Sequence, residues 1–289
     1  IIEIPQIQHI KMHCADPTAR PHSGGNIRLI RANTMPLEIV AIPCLTDNYA
    51  WLAHDAATGA TAVIDVPDAT PVLNALHDHG WQASHILLTH HHDDHIAGVQ
   101  TLAAATGARV IGAAADAHRL PPLDETVRPG DTLRIGMDAG QVLDVPGHTL
   151  GHVAFHFPDS ALAFTGDSLM SCGCGRLFEG TAEQMWQSLS QFLAMAPETL
   201  ICSGHEYTAA NIRFAQSVDP LNPALTARAA SVAALRARGR PTLPVRLAEE
   251  LATNPFLRAA DPAFRAALGQ SDQTAAQTFA HLRALKDRF

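Results

Sequence analysis

Residues 89–95 read Thr89-His90-His91-His92-Asp93-Asp94-His95 and follow the short apolar stretch His85–Leu88. That stretch reads as a buried strand. Beyond it, Asp94–Thr106 reads as a helix, with Ile96, Val99, Leu102 and Ala103 on one face and Gly107 just past its end. His90 and His92, two apart in a loop, can point their imidazoles the same way. Asp94 and His95 fall in the first helical turn. Each pair can therefore serve one of two adjacent cations, and imidazole with carboxylate suits zinc, iron or manganese. The plain alternative is a polar loop with an acidic helix start, since Asp is common there. An isolated H-x-H would be weak evidence; H-x-H-x-D-H behind an apolar strand is far more specific.

Three further segments repeat one pattern, an apolar strand followed by a Gly-containing turn that holds a polar side chain. Gln141–Val145 leads to Pro146-Gly147-His148-Thr149, Ala161–Phe164 to Thr165-Gly166-Asp167-Ser168, and Leu200–Cys202 to Ser203-Gly204-His205-Glu206. Each alone is an ordinary turn. If the strands are neighbours, His148, Asp167 and His205 gather at one sheet edge with the first cluster, on turns that project side chains into a shared cleft. Other histidines read differently. His91 faces away from the inward pair. His152 and His156 lie opposite Val153, Phe155 and Phe157 and read as packed or solvated, although His152 could brace a ligand from behind. His77, His79, His118 and His281 read as surface positions.

The chain of 289 residues suffices for one large domain or two modest ones, and 47% hydrophobic content supports a substantial core. A net charge of −8 argues against nucleic acid, whose phosphates want a basic face. No apolar run approaches the roughly 20 residues of a membrane helix. The cysteines, Cys14, Cys44, Cys172, Cys174 and Cys202, are odd in number and contain no C-x-x-C pair. That disfavours a disulfide scaffold and fits a reducing, cytoplasmic setting. Cys172 and Cys174 are not needed as thiolate ligands beside seven N and O donors.

Residues 1–34 lack a sustained period and the apolar core of a secretory signal, and they read as a disordered or upstream-translated leader before Met35. Leu37–Ile42, Tyr49–His54 and Thr61–Asp65 read as strands, and Thr70–His79 as a helix ended by Gly80. Arg109–Ile111, Thr132–Ile135 and His152–Phe157 are further strands and Thr181–Ala194 a helix. After Gly204 strand patterns vanish and helical segments take over, near 208–218, 222–238, 244–252 and 273–287. The expected organisation is an α+β domain over 35–204 and a helical domain over 205–289.

With these motifs in view, the chain resembles the metallo-β-lactamase superfamily, and within it glyoxalase II, the hydroxyacylglutathione hydrolases. The narrower resemblance runs from about Met35 to Phe289. It rests on Pro43-Cys44-Leu45-Thr46-Asp47-Asn48-Tyr49, Gly166–Leu169 through Gly173–Gly180, Gly204-His205-Glu206-Tyr207, Asn254-Pro255-Phe256-Leu257-Arg258 and Lys286-Asp287-Arg288-Phe289. The resemblance implies an αββα sandwich followed by a C-terminal helical domain that closes over glutathione. It implies one metal on His90, His92 and His148, a second on Asp94, His95 and His205, and Asp167 bridging both. It assigns glutathione contacts to Arg176, Phe178, Tyr207 and Arg258. Arg176 and Phe178 stand where family members often carry Lys and Tyr, and Ala259-Ala260-Asp261 stand where further basic residues often follow.

The implied reaction is hydrolysis of S-(2-hydroxyacyl)glutathione thioesters, typically S-D-lactoylglutathione to D-lactate and glutathione in methylglyoxal detoxification. Two divalent ions, zinc before iron or manganese, would hold a bridging hydroxide that Asp94 and Asp167 orient as the catalytic carboxylates. A monomer with no nucleic-acid or membrane partner is expected. The alternatives are a persulfide dioxygenase-type mononuclear iron oxidoreductase of the same superfamily, a superfamily nuclease, which the acidic balance disfavours, and a non-catalytic binding protein, which the filled ligand positions disfavour.

Overall fold

The computed structural model describes residues 36–289, and the leader expected over residues 1–34 lies outside them. The first sheet begins with an antiparallel meander of β1 (Glu38–Cys44), β2 (Asn48–His54) and β3 (Thr61–Ile64). Every residue of β2 and β3 is buried, as expected of strands covered on both faces. The chain then crosses over through α1 (Ala69–His79) to β4 (Ala83–Leu87), parallel to β3. Asp68 caps the start of α1, and Gly80 ends it in the left-handed conformation that glycine adopts without a Cβ clash.

The helix expected over Asp94–Thr106 is two pieces, α2 (Asp93–Ile96) and α3 (Val99–Thr106). The break is caused by tertiary pairing. The Val66 amide donates to the His95 carbonyl and the Gly98 amide to the Val66 carbonyl, so this backbone is bonded across to the end of β3. After α3, β5 (Arg109–Ala113) and β6 (Glu125–Val127) complete a six-stranded sheet in the order β1-β2-β3-β4-β5-β6.

The second sheet starts with β7 (Thr132–Ile135), β8 (Asp138–Asp144), β9 (Val153–Phe157) and β10 (Leu162–Gly166), all antiparallel. A small hairpin of β11 (Leu169–Met170) and β12 (Gly173–Cys174) follows. Helix α4 (Ala182–Ser190), opened by a Thr181/Gln184 capping box, leads to β13 (Leu200–Ser203), parallel to β10. The helices α5 (Thr208–Val218) and α6 (Pro223–Arg236) come next. The expectation that strands cease after Gly204 is corrected by β14 (Val245–Arg246), which pairs with β13 and gives the order β14-β13-β10-β9-β8-β7. Two residues are too short to carry a period-2 signal. Helices α7 (Leu247–Thr253), α8 (Pro255–Arg258), α9 (Pro262–Ala267) and α10 (Ala275–Lys286) end the chain.

The two sheets share one core. Trp51, Ile64, Leu87 and Ile111 of the first belong to the same buried cluster as Val142, Phe155, Phe157 and Phe164 of the second. The Trp51 and Phe164 rings meet edge-on at 6.4 Å. Helices α1 and α3 cover the other face of the first sheet through Val72, Leu76, Val99 and Leu102. Met185 and Leu189 of α4 and Phe279 and Leu282 of α10 continue the second sheet's packing. This is the expected αββα sandwich with helices after it. The described residues 36–289 all fall within one compact unit, with the C-terminal helices inside it.

Candidate metal centre and substrate cavity

Every expected ligand lies on a connection leaving a strand. His90, His92, Asp94 and His95 follow β4, His148 follows β8, Asp167 follows β10 and His205 follows β13. β4, β8, β10 and β13 are all interior strands of their sheets, and the connections that leave them bring the candidate ligands together. His92 Nδ1 lies 3.2 Å from His90 Nε2 and 3.0 Å from His148 Nε2. His95 Nε2 lies 3.3 Å from His205 Nε2, which is 3.4 Å from Asp94 Oδ2. Two triads result, His90/His92/His148 and Asp94/His95/His205, each with ligand atoms within 4.8 Å of one another. Asp167 stands between them, Oδ1 at 3.4 Å from His95 Nε2 and Oδ2 at 3.5 Å from His148 Nε2 and 3.3 Å from His205 Nε2.

These residues fit metal ions on the chemistry of their donors. Imidazole nitrogens facing each other at hydrogen-bond distance need a cation or a proton between them. Among the described residues Asp167 Oδ1 is buried with no hydrogen-bond partner, an anionic oxygen aimed into the cluster. Burial alone would raise the Asp167 pKa, but His95 and His205 hold it well below the carboxylate range. Burial, then His95 and His152, pushes His90 far below the ordinary imidazole value, so it is a neutral donor. The two triads and the carboxylate between them could hold two divalent metals.

Outside this ring, other groups aim the ligands. Asp65 Oδ2 sits 2.9 Å from His95 Nδ1 and accepts from Thr89 Oγ1 at 2.7 Å. Asp47 Oδ1 lies 3.0 Å from His205 Nδ1, and the Arg176 carbonyl accepts from His148 Nδ1 at 2.9 Å. Asn48 Nδ2 donates to Asp94 Oδ2 at 3.0 Å. Such partners select the ring nitrogen that faces the metal and hold the ring's angle. His152 is fully buried, stacks on His90 at 4.6 Å and accepts from the Asp167 amide through Nε2; burial brings its pKa down to about 3. It therefore braces two ligands. His91 turns outward to Asp116, 2.9 Å from Nδ1. The sequence reading missed Asp65, whose only signal is an Asp ending a buried strand. Asp47 and Asn48 lay inside the quoted Pro43–Tyr49 stretch without a role.

The cluster opens into a cavity of about 600 Å³. Arg176, Phe178 and Tyr207 line it. Phe178 meets His92 and His148 edge-on at 5.6 and 5.2 Å, and Tyr207 stacks on His205 at 4.6 Å. Arg258 is corrected. It does not line the cavity; its guanidinium is paired with Asp219 and Asp261 and lies 4.5 Å over the Phe264 ring. The cations that do line the cavity from the C-terminal helices are Arg283 and Lys286 of α10. The Arg283 guanidinium is itself engaged by Asp287 and the Cys174 carbonyl, whereas Lys286 Nζ touches only the Ala210 carbonyl, at 3.5 Å, among described polar partners. The Lys286-Asp287-Arg288-Phe289 stretch was the signal for this.

An αββα sandwich with a dinuclear His/Asp site at its edge defines the class, and the chain belongs to the metallo-β-lactamase superfamily, whose family model matches residues 55–205. A solved B3 metallo-β-lactamase, BLEG-1, shares the fold at a TM-score of 0.59 and 20% identity, over 76% of this chain and 99% of its own. Within that class the chain is a member of the hydroxyacylglutathione hydrolases, for the model of their C-terminus matches residues 206–289. Curated hydroxyacylglutathione hydrolases from Cereibacter sphaeroides (63% identical over 255 residues) and Rhodobacter capsulatus (62% over 256) each cover 88% of this chain and all of their own length. ETHE1 from Myxococcus xanthus is a more distant structural neighbour, at 25% identity and a TM-score of 0.58, covering 86% of this chain and 90% of its own.

Proposed function

We propose that this protein hydrolyses S-(2-hydroxyacyl)glutathione thioesters, S-D-lactoylglutathione first among them, releasing the hydroxy acid and glutathione. The observation that carries the reading is the paired ligand triads opening into a cavity whose lining also bears Arg176 and Lys286. Metals at the triads supply Lewis acidity and a water acidic enough to attack near neutral pH. The chain's own residues do the rest. Asp94 and Asp167 present carboxylate oxygens where the triads meet and orient the attacking water. Asn48 keeps Asp94 turned inward. The leaving thiolate has an intrinsic pKa near 8.5 and departs without a dedicated acid. Arg176 and Lys286 pair with the glutathione carboxylates as charge-assisted contacts. Phe178 and Tyr207, both exposed beside the ligands, flank the thioester.

A complete second triad weighs against the mononuclear iron alternative, as does the identity to hydroxyacylglutathione hydrolases. We assign zinc to the site on its donor set, a monomer as the working unit, and a cytoplasmic location in keeping with free thiols at Cys44, Cys172, Cys174 and Cys202. No helix among the described residues is long and apolar enough to cross a membrane. The test is an assay of purified protein with S-D-lactoylglutathione, with and without a chelator, alongside elemental analysis. Chelator-sensitive cleavage with two metals per chain is expected, and cleavage indifferent to metal removal sinks the reading.

A further inference from the structure

The turn Ser171-Cys172 between β11 and β12 is fully buried, and Cys172 has φ +54°, a conformation non-glycine residues rarely adopt. Its backbone is bonded almost entirely by side chains from the C-terminal helices. The Cys172 amide donates to both oxygens of Glu250, at 2.8 and 3.0 Å. Asn254 Nδ2 donates to the Met170 and Gly173 carbonyls, and Arg228 Nη2 to Ser171 Oγ at 2.8 Å. Arg228 also pairs with Glu250, both charges being buried. The strained turn is thus held by a buried ion pair on α6 and α7 that touches no metal ligand.

The hairpin it holds runs straight into the site. Met170, Cys174, Gly175 and Arg176 line the cavity. Gly175 lies so close to the ligands that a Cβ there would sit 2.0 Å from the Asp167 carbonyl oxygen and 2.9 Å from His148 Nδ1. The next carbonyl, that of Arg176, accepts from His148. A shift of the hairpin therefore moves the cavity floor and the Arg176 side chain together. We propose that Glu250 is a positioning residue for substrate binding, acting through the Cys172 amide to set the β11–β12 hairpin against the metal site. The inference rests on the proposed hydrolase reading for its substrate.

Two changes test it. Glu250→Asp keeps the charge opposite Arg228 but withdraws the oxygens from the Cys172 amide by one methylene. Glu250→Leu combined with Arg228→Met removes acceptor and charges together, and apolar replacement of a buried pair is often neutral for stability. Both should raise KM for S-D-lactoylglutathione about tenfold while kcat changes much less and two metals are retained. Glu250→Gln with Arg228→Met restores an acceptor and should return KM to within about threefold of wild type. Misfolding lowers the active fraction, hence kcat, but leaves KM alone, so a raised KM separates positioning from mere support. Amide exchange over residues 171–175 should accelerate in the first two variants without any substrate, which keeps this test separate from the proposed reaction. An unchanged KM with wild-type exchange overturns the proposal, as does failure of both variants to fold.

Discussion

At the residue scale, Lys286 and Arg258 make opposite predictions. Burial, then Arg283 and Arg213, lowers the Lys286 ammonium from 10.5 to about 8. The ammonium is charged below that value and neutral above it, so its hold on a carboxylate weakens as pH rises through about 8. KM for the glutathione thioester should climb over that range. Lys286→Met should raise KM about tenfold to a hundredfold at neutral pH, the worth of a hydrogen bond to a charged group, and flatten the climb. Arg258→Met should leave KM unchanged and lower only stability, since its guanidinium serves Asp219 and Asp261. Steady-state kinetics across pH 6–10 decide both. The seven metal-binding candidates were legible because ligand chemistry is restricted to few residue types and their spacing was specific. Arg258 was misplaced because an arginine's direction is not written in its neighbours: Asp219, 39 residues away, takes it.

At the element scale, the site depends on turns that leave no room for a side chain. A Cβ on Gly204, at the end of β13, would fall 2.5 Å from Asp167 Oδ1 and 2.6 Å from His95 Cε1. Gly204→Ala should therefore push apart the shared carboxylate and a histidine of the Asp94/His95/His205 triad and cut metal content below two per chain, with activity falling about a hundredfold or more. Elemental analysis beside the assay checks it, and a variant with two metals and wild-type activity would refute the crowding argument. Strand and helix periods were readable where elements are long, as in α1, α5 and α10. They failed for β6, β11, β12 and β14, which are two or three residues long. They also merged α2 with α3, because the intervening break is imposed by pairing with Val66 and leaves the local pattern helical.

At the scale of the whole molecule, metals held by these seven candidates would join two sheets, since His90, His92, Asp94 and His95 follow a strand of one sheet and His148, Asp167 and His205 follow strands of the other. Ions that bind only the folded arrangement stabilise it by mass action, about 2.7 kcal/mol at a hundredfold excess over Kd. Chelation should lower Tm by several degrees and added zinc should restore it, as read by a thermal melt. An unchanged Tm after verified metal loss would show that the sandwich holds this edge without them. By itself, the sequence determined the donor types, their order along strand-ended turns and an α+β region followed by helices, because hydrophobic period and ligand chemistry are local properties of the chain; the two-layer sandwich came only through the family resemblance. Only the tertiary structure decided that His92 offers Nδ1, that Asp65 and Asp47 aim His95 and His205, and that Lys286 reaches the cavity where Arg258 does not. Those outcomes depend on which groups meet across separations of 30 residues, for Asp65 and His95, to 158, for Asp47 and His205, and that follows from how the sheets and helices of the described residues pack.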